Sequence, residues 1–527
     1  MNDQKRKIWP WVLVLVLFIL IGGGVLAFVY RENLENAWAR KTKSPEEYFA
    51  WVCERQFGDG MGYFEAYEEA TKNARDHRNI KISGETRFRL SDDLLGVIEN
   101  SAGDSVGRLD AYNDIAVIWE AARKEDNLRA FQALQIKDKE YLISLEEMYD
   151  LDKSTVYVRS EQINEEYASV KLKDFLDADK IDKIEEYIDG VSGSVDMIPD
   201  VKTLKSIYGR YLHVLVTGIT GISDKDEDIT VNGTKKRCAA LSFTMDGDQI
   251  KELSHALIDE MLDDDELEDM VLNVLERTLP DEDSEKIWEE AMDALEKAGD
   301  ELDDMDIQGE GDITVYVNEK GRICGFEVDT DKDQFFAGAV RKGLDIYCEV
   351  SAFEGKDQMV ELRGKGRVGK SGFTGDFMVA SDASDLSFDF SLENVSPSGG
   401  TFRLDTTPLF DLAYKEADDP MVVSLLKSME GELVITREIK NGNVDTYLAL
   451  VDDDEEKLAI LVKINTSEAP DIELPSGRSV NRMNDYLDVM DYFSDSDLSV
   501  LPDVAEKLGA PKDEVESLRR EIDNAKW

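Results

Sequence analysis

Residues 344–366 read LDIYCEVSAFEGKDQMVELRGKG, and this stretch decides the fold. Two runs with a period of two, LDIYCEVSAF and QMVELRGKG, flank Glu354-Gly355-Lys356-Asp357. Alternation of that period is the mark of a strand, and a short glycine-bearing break between two such runs is the mark of a hairpin. The same pattern extends in both directions. Upstream, DITVYV and RICGFEV are joined by Asn318-Glu319-Lys320-Gly321. Downstream come FTGDFMVA, LSFDFSLENV, GTFRLD, GELVITREI, VDTYLALVD and KLAILVKI. A second series runs from about Asn79: IKISGETRFRL, DIAVIWEAAR, LRAFQALQI, EYLISLEEM, STVYVRS and YASVKL. Asn232-Gly233, between DITV and TKKRCAALSFTM, is a two-residue hairpin signal. The expectation is a long antiparallel meander whose alternation buries one face and solvates the other.

Helical periodicity interrupts the meander twice. Val201, Leu204, Ile207, Tyr208, Tyr211, Leu212 and Leu215 recur at i, i+3, i+4 spacing, placing one helical insertion at about 173–222. Ile250, Leu253, Leu257, Met261, Leu267 and Val271 place a second at about 247–305. The run Asp263-Asp264-Asp265-Glu266 reads as its solvated face. Ser44-Pro45-Glu46-Glu47 is a helix start, with a capping serine and proline at the first position. That helix is expected to break near Gly58–Gly62. Residues 470–527 read as an acidic helical tail. The fold class is therefore α+β: an N-terminal membrane helix, then a curled, half-barrel-like antiparallel meander with two helical insertions, then the tail. A sheet of this many strands is expected to curl around its helices.

Residues 8–30, IWPWVLVLVLFILIGGGVLAFVY, form the long uncharged apolar run. At helical rise they reach roughly 34 Å, enough for a hydrocarbon core of about 30 Å. Lys5, Arg6 and Lys7 precede the run, which keeps residues 1–7 in the cytoplasm and places the bulk of the chain outside. The apolar stretch continues past Gly22–Gly24 without a small-x-small exit, so an uncleaved signal anchor is expected over a cleaved signal peptide. The expected organisation is cytoplasmic 1–7, span 8–30, an extracytoplasmic α+β domain over 31–469 and the tail 470–527.

With 61 basic against 114 acidic residues, the net charge is −53, which repels nucleic acid. A hydrophobic content of 42% is too high for a disordered acidic chain, so a real core is expected. The four cysteines, Cys53, Cys238, Cys324 and Cys348, include no CxxC and so give no zinc ribbon. Cys324 and Cys348 fall in neighbouring strands and are the candidate disulfide; buried free thiols are the alternative. His77, His213 and His255 lack metal-ligand spacing, and no cofactor or metal is expected.

Gly364-Lys-Gly-Arg-Val-Gly-Lys370-Ser371 matches GxxxxGK[ST] in full. Phosphate binding needs a helix starting at Lys370, whereas SGFTGDFMVAS is strand-like, so the match reads as a basic connection between strands and not as a nucleotide site. The acids at Asp150–Ser154 with Glu161, and at Asp329, Asp331 and Asp333, lack the glycine of a calcium loop and read as turns. No GxSxG or HExxH occurs, and no catalytic residue is nominated.

The basic N-terminus, the span, the SPEEYF start at Ser44–Phe49, and the segments EYLISLEEMYD and TKKRCAALSFTMDGDQIKELSHAL resemble a group of uncharacterised single-pass, membrane-anchored proteins of Gram-positive anaerobes. More loosely, a helix-filled curled meander resembles the half-barrel of lipoprotein carriers and mycobacterial lipid-binding lipoproteins. That likeness implies a concave face with a helical lid that holds an acyl chain. The leading expectation is a non-enzymatic, membrane-anchored extracytoplasmic binding protein for a lipid or other amphiphile. Phe243, Ile250, Leu253, Leu257, Tyr347 and Phe353 are the candidate cleft residues; ordinary core packing is their alternative. The second expectation is a cell-envelope scaffold whose acidic surface or tail engages a basic partner. The third is an envelope enzyme of unspecified reaction.

Overall fold

The computed structural model describes residues 35–71, 79–102, 113–137, 141–178, 180–181, 201–278, 283–303, 309–381, 386–416, 420–453, 455–484 and 486–524. The protein is mixed α+β, with a large open antiparallel sheet and several helices. The expected span 8–30 lies outside the described residues. Among those residues no helix is long and apolar enough to cross a membrane.

In chain order the elements begin with α1 (Glu35–Thr42), α2 (Pro45–Thr71), β1 (Asn79–Leu90), α3 (Asp92–Ala102), β2 (Ile115–Lys124), β3 (Asn127–Ile136), β4 (Ile143–Asp150), β5 (Thr155–Ser160) and β6 (Asn164–Lys171). They continue with α4 (Val201–Gly218), β7 (Ser223–Val231), β8 (Thr234–Met245), α5 (Gly247–Leu262), α6 (Asp265–Thr278), α7 (Ser284–Asp303), β9 (Gly311–Val317), β10 (Ile323–Thr330), β11 (Asp333–Lys342) and β12 (Asp345–Glu354). Then follow β13 (Asp357–Val368), β14 (Phe373–Ser381), β15 (Leu386–Ser396), β16 (Gly399–Asp405), α8 (Thr407–Glu416), α9 (Pro420–Ser428), β17 (Glu432–Lys440), β18 (Asn443–Asp452) and β19 (Glu455–Glu468). The last are β20 (Val480–Arg482), α10 (Tyr486–Ser494), α11 (Val500–Lys507) and α12 (Lys512–Asn524).

The chain divides into two compact units, 1–69 with 197–397, and 70–196 with 398–527. In the first, β7 to β15 follow one another as antiparallel neighbours. Its core joins Tyr48, Phe49 and Val52 of α2 to Leu241 and Phe243 of β8, Val315 of β9, Phe326 of β10 and Ile250 of α5. Each such side chain taken fully out of water contributes about 2 kcal/mol. The helix opens as the sequence predicts: Glu47 N–H donates to Ser44 Oγ at 3.2 Å, and Ser44 N–H to Glu47 Oε2 at 3.0 Å. The expected break at Gly58–Gly62 is absent, and α2 runs unbroken to Thr71. Interior glycines cost only about 1 kcal/mol each, and Met61 in this turn is buried.

Within the acidic run at 263–266, Asp263 and Asp265 are exposed as read, and Asp264 alone departs from a solvated face. Asp264 sits between α5 and α6 and is 6% exposed. It accepts from the Leu267 amide at 3.0 Å and the Tyr211 hydroxyl at 2.7 Å, and pairs with the Arg210 guanidinium. It is a helix cap that the sequence presents as surface charge.

The second unit draws on two stretches of chain far apart in sequence, 70–196 and 398–527. Its ladder runs β16-β17-β18-β19-β1-β2-β3-β4-β5-β6. β1 and β19 pair over their whole shared length, Ile80 opposite Glu468 and Leu90 opposite Leu458. Among the described residues beyond 470, α10, α11 and α12 are helical, and β20 adds parallel to β6. Asn164 Nδ2 donates to Ser496 Oγ at 3.1 Å and Asn481 Nδ2 to Glu166 Oε2 at 2.7 Å, so β20 and Ser496 are joined to the sheet edge.

Candidate functional site: an open apolar sheet face

Successive strand residues point to opposite faces, so cross-strand register assigns each side chain of the second unit to one face or the other. Phe402, Ile435, Leu448, Ile460, Phe88, Ile115 and Ile136 stand directly opposite one another across seven consecutive strands, β16 to β3. This row contains no polar residue, and not one of its members is buried. The next row adds Val462, Val117, Leu134 and Ile143, and the one beyond it Ile464, Trp119 and Leu145. Phe88 is 41% exposed, Val117 37% and Leu145 38%. The other members of these rows are half-buried, and Thr86, Thr446 and Gln132 interrupt the second and third rows; an apolar face of this kind is a candidate contact surface. On helices of the same unit, Leu409 and Leu412 of α8 and Val422 of α9 are also exposed. α9 packs on α8 and α3, and α3 on β19.

The opposite face carries charge. Lys81 on β1 meets Glu120 on β2 at 2.5 Å, and Glu120 meets Arg129 on β3 at 2.9 Å. Arg129 meets Glu146 on β4 at 2.7 Å, and Glu146 meets Arg159 on β5 at 2.7 Å. Tyr167 on β6 donates its hydroxyl to Glu146 at 2.8 Å. Burial alone would push the Glu146 carboxyl up; the bonds from Tyr167, Arg129 and Arg159 together outweigh it and hold the group below the usual carboxylate range. Burial, with the Glu146 charge, pushes Tyr167 up to about 12.

The six cleft candidates do not converge. Phe243 and Ile250 lie buried in the first unit's core and Leu253 packs against it. Leu257 is half-buried on α5. Tyr347 packs on a second cluster, with Val231, Cys238, Ala240 and Cys324. Phe353 sits at the end of β12 opposite Gln334. The apolar row went unassigned because its strands, IKISGETRFRL and KLAILVKI, alternate as ordinary core strands do. Its signal was the shared apolar parity of strands some 370 residues apart, which is read only once their pairing is known.

The sulfur beside Cys324 is that of Cys238, at 3.2 Å, and not that of Cys348. Cys348 lies on β12 opposite Ala339, and β11 stands between it and β10. Burial pushes the Cys348 thiol up to about 11 and the Cys53 thiol to about 12.

Residues Gly364–Val368 of the phosphate-loop match are strand β13, and Gly369 to Gly372 turn the chain into β14, with the Gly369 amide donating to the Gly372 carbonyl at 2.8 Å. No helix begins at Lys370. A Cβ on Gly364 would stand 2.0 Å from the Phe377 ring and one on Gly366 2.2 Å from Phe373. The glycines are recesses for phenyl rings on the neighbouring strand.

The turn acids are likewise engaged locally. Asp150 accepts from the Lys153 amide at 3.1 Å and its ammonium at 2.6 Å, and Asp329 accepts from Gln334 at 3.1 Å. Among the described residues no group of three or more His, Cys, Asp or Glu side chains converges as a metal site.

No protein-family model matches the chain, and no curated protein matches it. Among solved structures, a chain of the Pseudomonas aeruginosa MucA/MucB complex is similar at 10% identity, covering 78% of this chain and 93% of that one, with a TM-score of 0.08. A score that low carries no argument about fold or function.

Proposed function

We propose that the protein is a membrane-anchored extracytoplasmic binding protein for an apolar or amphiphilic ligand, and that the ligand lies on the open apolar face of the second unit. The observation that carries this is the unbroken, half-exposed row from Phe402 to Ile136. A sheet face this long and this apolar costs solubility unless something covers it. An acyl chain laid along it gains about 0.8 kcal/mol for each methylene taken out of water, so ten methylenes offer about 8 kcal/mol against the cost of ordering the chain. The reading takes the sheet to curl around this face, the half-barrel arrangement of the lipid carriers named above. Residues 8–30 hold the whole device at the membrane. A scaffold role is the second reading; it rests on the acidic surface and on the tail beyond Asp497, since Val480–Arg482 and Ser496 are joined to the sheet.

The test is native mass spectrometry of the detergent-extracted full chain, together with titration of a fluorescent fatty-acid probe. Co-purifying lipid mass and saturable probe binding are expected. Val117→Glu or Ile460→Glu should abolish both, while Leu257→Glu in the first unit should leave them. Absence of bound lipid and of saturable probe binding in the unaltered chain would overturn the reading.

A further inference from the structure

We infer that Cys238 and Cys324 form a disulfide that staples the two ends of the helical excursion in the first unit. The two sulfurs lie 3.2 Å apart, and both residues are 4% exposed. They belong to non-adjacent strands, β8 and β10, with β9 between. Two features bring them together. First, β9 ends at Val317, the residue opposite Ala239 and Ile323, so its side chains do not separate the pair. The next residue, Asn318, turns its side chain into the β9–β10 turn, accepting from the Lys320 amide at 2.9 Å and the Arg322 amide at 3.2 Å. Second, the register shifts between Ile323 and Gly325, which makes Cys324 the extra residue of a β-bulge. A bulge re-aims a side chain out of strand alternation, and here it aims Cys324 into the cluster that holds Cys238, Ala240 and Tyr316.

The chain between the two cysteines contains α5, α6 and α7, three helices inserted between neighbouring strands. A link from β8 to β10 closes that excursion at its base. The remaining cysteines are not placed to compete: Cys53 is on α2 and Cys348 is beyond β11.

The chemistry is thiol–disulfide exchange with a small-molecule or protein disulfide, RSSR. The Cys238 thiolate attacks one sulfur of RSSR, forming a mixed disulfide and releasing RS⁻. The Cys324 thiolate then attacks the Cys238 sulfur of that mixed disulfide and expels the second RS⁻. The sum is two protein thiols plus RSSR giving the protein disulfide and two RSH. In the folded unit the contact with Cys324 holds the Cys238 thiol below the ordinary value, Lys236 adds to this, and burial opposes it; in the open chain either sulfur can attack first, and the sum is the same. Because both sulfurs are covered in the folded unit, exchange occurs while the strands are still open, during folding in an oxidising compartment. The inference is independent of the ligand reading, since the staple is in the first unit and the proposed ligand face in the second.

The experiment takes the full chain, purified in detergent without reductant. Free thiols are alkylated under denaturing conditions and the peptides mapped by mass spectrometry. A second sample is reduced, unfolded and refolded with oxidised glutathione before the same mapping. The expected result is a Cys238–Cys324 linked peptide, with Cys53 and Cys348 alkylated, in both samples. A Cys348→Ser variant should keep the link and a Cys238→Ser variant should leave Cys324 alkylated. Full alkylation of Cys238 and Cys324 in both samples, or a Cys324–Cys348 link, would overturn the inference.

Discussion

Arg129 Nε donates to Glu146 Oε1 at 2.7 Å on the face opposite the apolar row. Glu146 also takes Arg159 and Tyr167, so one carboxylate, 5% exposed, organises β3 to β6. Removing one partner of such a network strands the others without their counter-charge, at a cost of about 3 kcal/mol. Glu146→Ala should therefore lower the unfolding free energy of the second unit by about that amount in urea titrations. Glu146→Gln keeps the acceptor oxygen and should cost less.

Acid should act through the same group, and through Asp264 in the first unit. Burial alone would raise Asp264, but Arg210, Tyr211 and the Leu267 amide outweigh it and hold it below the ordinary range, as for Glu146. A carboxylate whose folded pKa is depressed contributes stability that is fully present above its unfolded value, about 4, and is lost as pH falls through the folded value. Urea midpoints followed from about pH 6 downward should hold level and then fall below about pH 4. Glu146→Gln should flatten that fall for the second unit. An unchanged slope in the variant would show that the network does not carry the acid response.

Asp264 gives a sharper contrast between charge and cap. Asp264→Ala removes both the Arg210 partner and the acceptor for the Leu267 amide, and should cost about 3 kcal/mol. Asp264→Asn preserves an oxygen for the amide and should recover about 1 kcal/mol of this, the value of an ordinary cap. Thermal melts of the two variants side by side separate the contributions.

The strands and long helices were legible because period and caps are local properties. The SPEE start and the Asn232-Gly233 turn are read from a few residues each. The partnership of β1 with β19 was not legible, because no local property of IKISGETRFRL names a partner at the far end of the chain. The same limit hid the site. Alternation tells which residues share a face, yet not which face is covered. In the second unit the row from Phe402 to Ile136 is left unburied, while the opposite parity holds Glu146 and Arg87 buried. Asp264 was misread for a related reason, since burial of a charge depends on a guanidinium some 50 residues away.

Gly364 tests whether the phosphate-loop match is a packing device. A Cβ there meets the Phe377 ring at 2.0 Å, and the Phe377 ring is stacked on Phe390 with centroids 4.9 Å apart. Gly364→Ala must therefore displace a ring that is stacked on Phe390, costing about 2 kcal/mol. In a Phe377→Ala background the same substitution should cost much less, a coupling that a thermal-melt double-mutant cycle measures.

Gly84 is the corresponding position on the apolar face, and it separates ring from backbone. A Cβ on Gly84 would stand 2.4 Å from the Trp119 ring and 2.6 Å from the Lys463 carbonyl oxygen. Trp119 therefore lies down over the glycine, in the row that ends at Leu145. Gly84→Ala should lift the ring, shift its fluorescence to the red as it meets water, and cost about 2 kcal/mol. Trp119→Ala removes the first conflict and leaves the second, because the carbonyl belongs to the β1–β19 ladder and moves only with the strand. The double variant should then recover part of the Gly84→Ala cost and no more. Full recovery would mean that β19 yields easily beside β1, and the pairing that joins the two stretches of the second unit would be weaker than its length implies.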